Sequence, residues 1–298
     1  MNVAGEPRVR SPNKMPNDDL EKPRAVGGAR DPTDVVVSTW GYRRLVELEA
    51  AEQFRKLSEG LATAYGKSEI SELAAQASRD ESNHASYCES ILRELGCDVF
   101  QQKPPYEIVL GPRELDLRHA VLYAAVALSC VTETLSSALL VQMQRRTKWP
   151  VIREVVHTIL KDEINHARLG WAQLALSAQK EEVSWLGPYL SGMIRGAVLS
   201  DIRPPVELAS GVVDLSAYGI LSPKETRNIM QETVLKVILP GFRKFGINTV
   251  DAESFSKSSL SAAGGDGTRM GSVGKQVFAQ VTINDAPVPR TRTAQRLS

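Results

Sequence analysis

Two short stretches set acids and a histidine in the same pattern. LKDEINHARLGW, residues 160–171, places Asp162 and Glu163 just ahead of His166, and SRDESNHASYC, residues 78–88, does the same with Asp80, Glu81 and His84. A Glu and a His three residues apart share one face of a helix. A pair of such Glu-x-x-His motifs on two helices supplies four of the six donors of a dinuclear carboxylate site. One motif alone says little, because a lone helical glutamate is usually solvated and a lone buried histidine usually just hydrogen-bonded. Two motifs, each inside an apolar pattern, point to metal binding.

At about 100° per residue, positions i, i+3, i+4 and i+7 fall on one helical face. Around His166 that face reads Ile152, Val156, Ile159, Glu163, His166, Gly170 and Leu174; around His84 it reads Ile70, Ala74, Ala77, Glu81, His84, Cys88, Ile91 and Leu95. A third segment gives Leu122, Val126, Glu133, Ser137 and Leu140. Each stripe turns a carboxylate inward. An unpaired buried carboxylate is costly or takes up a proton, so several at one level call for a compensating cation. Four carboxylates with two imidazoles suit iron or manganese, and two iron ions are the expected cofactor, with manganese as the alternative.

The ligand from the first helix is contested. Through Glu47 the stripe runs Trp40, Ala50, Phe54, Leu57 and Leu61, whereas Glu52 shares its face with Arg55, Lys56 and Glu59, and Glu49 with Gln53 and Lys56. Height above the hairpin tip favours Glu52; stripe continuity favours Glu47, which is the choice taken. His119 stands fourteen residues from Glu133, about 21 Å along the axis, and His157 points about 120° away from Glu163, so neither reaches the site. Cys88 reads as core packing and Tyr87 as a neighbour without a redox role.

The elements that must position these groups are helices. Helical periodicity covers roughly 36–65, 68–96, 114–147 and 150–180, with shorter patterns near 185–200 and 222–246. AYGKSE and TKWP are tight connections, so they make antiparallel neighbours, while 97–113, with Pro104, Pro105 and Pro112, is a long crossover. The expectation is an all-α, ferritin-like four-helix bundle over 36–180 within a helical domain of 34–250, with two additional C-terminal helices. Residues 1–33 and 251–298, rich in Pro, Gly and Ser, are expected to be disordered tails.

The segments ELEAAEQF, DESNHA, VTETLSSA and DEINHARLGW resemble the ferritin-like di-iron carboxylate superfamily, and more closely a group of bacterial ferritin-like domain proteins. The resemblance implies that Glu47, Glu81, His84, Glu133, Glu163 and His166 bind the metals. It also implies that Asp80 orients His166 and Asp162 orients His84, surface solvation being the other reading of these aspartates. Activity would be that of a non-haem oxidoreductase or oxygenase using dioxygen, an external electron donor and an unidentified small-molecule substrate. Ile159 stands where the superfamily's N-oxygenases place an extra histidine, which disfavours that reaction. An iron-storage protein and a metal-free helical interaction module are the alternatives. Ser136 and Ser137, one turn from Glu133, leave room for dioxygen or substrate.

Composition excludes other classes. With 36 basic against 35 acidic residues, and no long block of like charge, nucleic acid is not an expected partner. Cys88, Cys97 and Cys130 form neither a disulfide framework nor a CxxC pair, so no rubredoxin-type donor is built in, and a reducing cytoplasm suits them. The longest apolar run, AVLYAAVALSCV, reads as too short to span a membrane. A homodimer is compatible with all of this.

Overall fold

The computed structural model describes residues 32–97, 109–201 and 214–260, and among these every regular element is helical. α1 is Pro32–Tyr65, α2 Glu69–Glu94, α3 Leu117–Arg146 and α4 Pro150–Ala178. After a 3-10 turn come α5, Leu190–Asp201, α6, over residues 223–243, and α7, Val250–Ser259. Local chemistry marks the starts. Ser68 and Ser71 form a reciprocal capping box on α2, Asp116 accepts from the His119 amide at the head of α3, and Pro150 occupies the first turn of α4.

α1 packs on α2, α2 on α4, α4 on α3, and α3 back on α1. Two apolar plugs fill the space between them. One holds Trp40, Cys88, Ile91, Leu140, Met143, Ile152, Val156 and Ile159; the other holds Phe54, Leu57, Leu61, Ala74, Val121, Ala125 and Leu169. On each of the four helices the acid or histidine of the sequence motifs falls between its contributions to the two plugs. A third cluster joins the outer face of α3 to α5, α6 and α7 through Leu122, Val126, Ile194, Met230, Phe242 and Ala252.

Three expectations change. The C-terminal boundary at 250 is too early, since Val250–Ser259 is a helix whose Ala252 and Ser256 are buried; among the described residues three helices, not two, follow α4. α1 begins at Pro32, inside the segment expected to be a tail. The apolar run taken as too short for a membrane belongs to a 30-residue helix, Leu117–Arg146, that is long and apolar enough to cross one. Its most apolar window is 61% buried inside the protein, so packing on both sides accounts for its composition. Residues 1–31 and 261–298 of the expected tails, and 98–108 of the crossover with Pro104 and Pro105, lie outside the described residues.

α3 is not a regular helix throughout. Val126–Glu133 is wound as a π-helix, and the Thr132 hydroxyl donates to the Ala127 carbonyl five residues back. Gly170 of α4 sits directly against it: a Cβ there would lie 2.7 Å from the Ala125 carbonyl oxygen and 2.9 Å from the Cys130 nitrogen. The glycine is required because backbone, which cannot swing aside, occupies the space. Gly170→Ala should destabilise the fold by about 1–3 kcal/mol in urea titration, while Gly192→Ala, with nothing within 4 Å, should be neutral or slightly stabilising.

Candidate metal centre

Four helices deliver donors to one buried locus. Glu47 comes from α1, Glu81 and His84 from α2, Glu133 from the end of the π segment in α3, and Glu163 and His166 from α4; all six are buried. Their donor atoms make two overlapping groups, each with all members within 4.8 Å of one another. One is Glu47, Glu81, His84 and Glu163; the other is Glu81, Glu133, Glu163 and His166. Glu81 and Glu163 belong to both.

The imidazoles are held from outside the cluster. His84 Nε2 lies 3.1 Å from Asp162 Oδ2, which turns Nδ1 inward, 3.2 Å from Glu81 and 3.9 Å from both Glu47 and Glu163. His166 mirrors this, with Nε2 3.4 Å from Asp80 and Nδ1 2.8 Å from Glu81 and 3.6 Å from Glu163. Asp80 also accepts from Gln76 at 2.7 Å. Each aspartate reaches a histidine on the other helix, so α2 and α4 are cross-tied. Such a carboxylate fixes the ring tautomer and leaves the opposite nitrogen to a metal.

Three inward atoms, Glu81 Oε1, Glu163 Oε2 and His166 Nδ1, are buried without a hydrogen bond. His166 Nδ1 and Glu81 Oε1 stand 2.8 Å apart as a charge contact. Buried polar atoms in native proteins are almost always partnered. Converging oxygens and a ring nitrogen without partners fit a cation, and this cluster could hold metal ions.

Electrostatics of the metal-free cluster agree with that fit. Burial, then the charges of Glu81 and Glu163, push Glu47 well above the usual carboxylate range, and burial with Glu163 does the same to Glu133. Arg43 favours the Glu47 carboxylate. Burial also works against charge on Glu81, but the two imidazoles outweigh it and hold that group down to about 2. For His166 burial is likewise outweighed, by Glu163 and Glu81, which lift it to about 10; His84 is raised by Glu81 against the same burial. Without metal the site therefore stores protons.

The other residues singled out above fall outside the cluster. Glu52 forms a surface ion pair with Arg55 at 2.6 Å, and Glu49 accepts from Gln53. His119 pairs with Asp116 and packs edge-on against Trp185; His157 contacts Gln144 at the surface. Cys88 is fully buried, and the Tyr87 ring lies 6.3 Å from that of His84. Sequence reasoning overlooked Arg43, although it sits between Trp40 and Glu47 at helical spacing, and gave Gly170 no role. No family model matches the chain, and no curated protein or solved structure shows significant similarity to it. Fold and site together define an all-helical protein with a buried carboxylate–histidine cluster able to bind metal.

Two outcomes follow from this geometry. Glu47→Ala should sharply lower metal content measured by elemental analysis while Glu52→Ala leaves it unchanged, and Asp162→Asn should weaken metal affinity about 10–100-fold. The second concerns pH. A His166 raised to about 10 contributes stability that is complete below about pH 6.5 and lost as pH rises through about 10. Raised Glu47 and Glu133 act in the same direction. Metal-free protein should lose thermal stability between neutral and alkaline pH, Mn(II) should remove that loss, and Mn(II) binding should release protons in weak buffer. A pH-independent melting temperature without metal would contradict the assignment.

Proposed function

We propose that α1–α4 form a ferritin-like four-helix bundle around two iron ions, and that the chain is a non-haem di-iron oxidoreductase or oxygenase. The observation that carries this reading is the sharing of Glu81 and Glu163 between two four-donor groups. Glu47, Glu81, His84 and Glu163 would hold one ion, and Glu81, Glu133, Glu163 and His166 would hold the other. Bound iron would supply the electrons for dioxygen reduction, with an external donor restoring them.

The chain's own residues have definable tasks. Asp162 and Asp80 hold the Nε2 protons, so that both Nδ1 atoms face inward. Phe54, whose ring centroid is 5.2 Å from that of His166, and fully buried Cys88 exclude water from either side. The extra layer of α5, α6 and α7 on α3 favours an enzyme over a storage shell, because it adds a covered face beside the ligand-bearing helix.

Oxygen uptake against added Fe(II), with sizing chromatography on the same sample, tests the reading. Uptake should stop near two irons per chain in a small oligomer and fall away in His166→Ala. Continued oxidation with mineral accumulating in a shell-sized assembly would establish storage instead. Failure to take up iron or manganese would leave a metal-free helical module.

A further inference from the structure

Helical hydroxyls in this protein commonly bond back to their own backbone. Thr39 donates to the Val35 carbonyl, Thr147 to Met143, Thr233 to Ile229, and Ser256, itself 0% exposed, to Ala252. Even within the π segment of α3, Thr132 finds the Ala127 carbonyl. Ser129 does not follow them. It lies in the same segment, is 0% exposed, and its Oγ has no hydrogen-bond partner. A buried donor without an acceptor is costly, so such a group calls for a partner.

The surroundings of Ser129 identify that partner. A Cβ on Gly170 would lie 2.5 Å from the Ser129 Cβ, and Gly170 shares its face of α4 with Glu163 and His166. Ser129 therefore faces the ligand-bearing side of α4. Along α3 it stands four residues before Glu133, close to one turn in either winding. Helical side chains lean towards the N-terminus, so the Glu133 carboxyl reaches back over the turn that carries Ser129. Ser137, the other buried hydroxyl without a partner among the described residues, lies a turn beyond Glu133, on the side from which that carboxyl leans away. In the metal-free cluster the Glu133 and Glu163 carboxyls hydrogen-bond each other. A Glu133 carboxylate that gave one oxygen to an ion would keep lone pairs on the other and need a donor for it.

We propose that Ser129 is a positioning residue for Glu133, its hydroxyl donating to the carboxylate oxygen that faces away from the ion and so fixing how Glu133 binds. This rests on the cluster holding two ions, as in the proposed function. Of the two four-donor groups only one contains Glu133, so Ser129 acts on one ion position and not on the other. Its two effects have opposite signs. The unpaired hydroxyl burdens the metal-free protein, and the same hydroxyl strengthens the occupied one.

The test compares full-length wild type and Ser129→Ala by Mn(II) calorimetry, by Co(II) absorption and by thermal melting of the metal-free protein. Affinity for one of the two ions should fall about tenfold while the other is kept, and the Co(II) ligand-field bands should shift. The metal-free melting temperature should hold or rise, because the substitution deletes an unpaired buried donor. A residue that served packing alone would lower the melting temperature instead. With two ions bound by wild type, any of three results overturns the inference and leaves the proposed function standing: unchanged affinity for both ions in Ser129→Ala, equal weakening of both, or a metal-free variant that melts lower or does not fold. Wild type that takes up neither Mn(II) nor Co(II) refutes the proposed function, and this inference with it.

Discussion

Six ionisable side chains removed from water at one level are the constraint on which the rest of this structure depends. Like charges so close cannot all remain ionised without a cation, and the metal-free cluster answers by retaining protons on Glu47 and Glu133 and by charging His84 and His166. That is a compromise of opposed terms, and it leaves three inward atoms without hydrogen bonds. Metal ions held by these residues would resolve the same conflict differently, by displacing the protons.

The fold is arranged to hold that conflict in place. Apolar plugs above and below the cluster keep α1 to α4 packed at both ends, so the donors cannot relax outward without opening a hydrophobic core. The aspartate–histidine ties between α2 and α4 add direction to packing, since they choose which nitrogen faces inward. Gly170 and the π segment set the approach of α4 to α3, and hence the position of Glu133. Backbone irregularity at this point follows the pattern of π turns generally, which concentrate at functional sites.

Much of this was legible in the sequence because helical periodicity is a local property. Trp40, Glu47 and Phe54 fall on one stripe, and burial follows the stripe: Glu47 is 7% exposed while Glu52 is in solvent with Arg55. The two Glu-x-x-His motifs needed only the helical repeat to predict that their members converge. What periodicity could not supply was any change of period. Every residue of Val126–Glu133 except Thr132 is buried, and a stretch without a solvent face gives no signal of a shifted winding. The extent of the C-terminal region was also hidden, because α7 is rich in serine and its burial depends on distant α5 and α6. Gly170 had a readable position but not a readable reason, which lies in the backbone of another helix.

The apolar character of α3 bears on how the chain is made. Before its neighbours cover it, Leu117–Arg146 resembles a segment that a membrane-insertion machinery would accept. Glu133 stands near its middle, and an acid at the centre of a candidate span raises the free energy of insertion by about 3 kcal/mol. One carboxylate thus biases the nascent helix against lateral partition into lipid long before it has an ion to bind, and truncation of the helices that cover α3 would leave that single acid as its main safeguard.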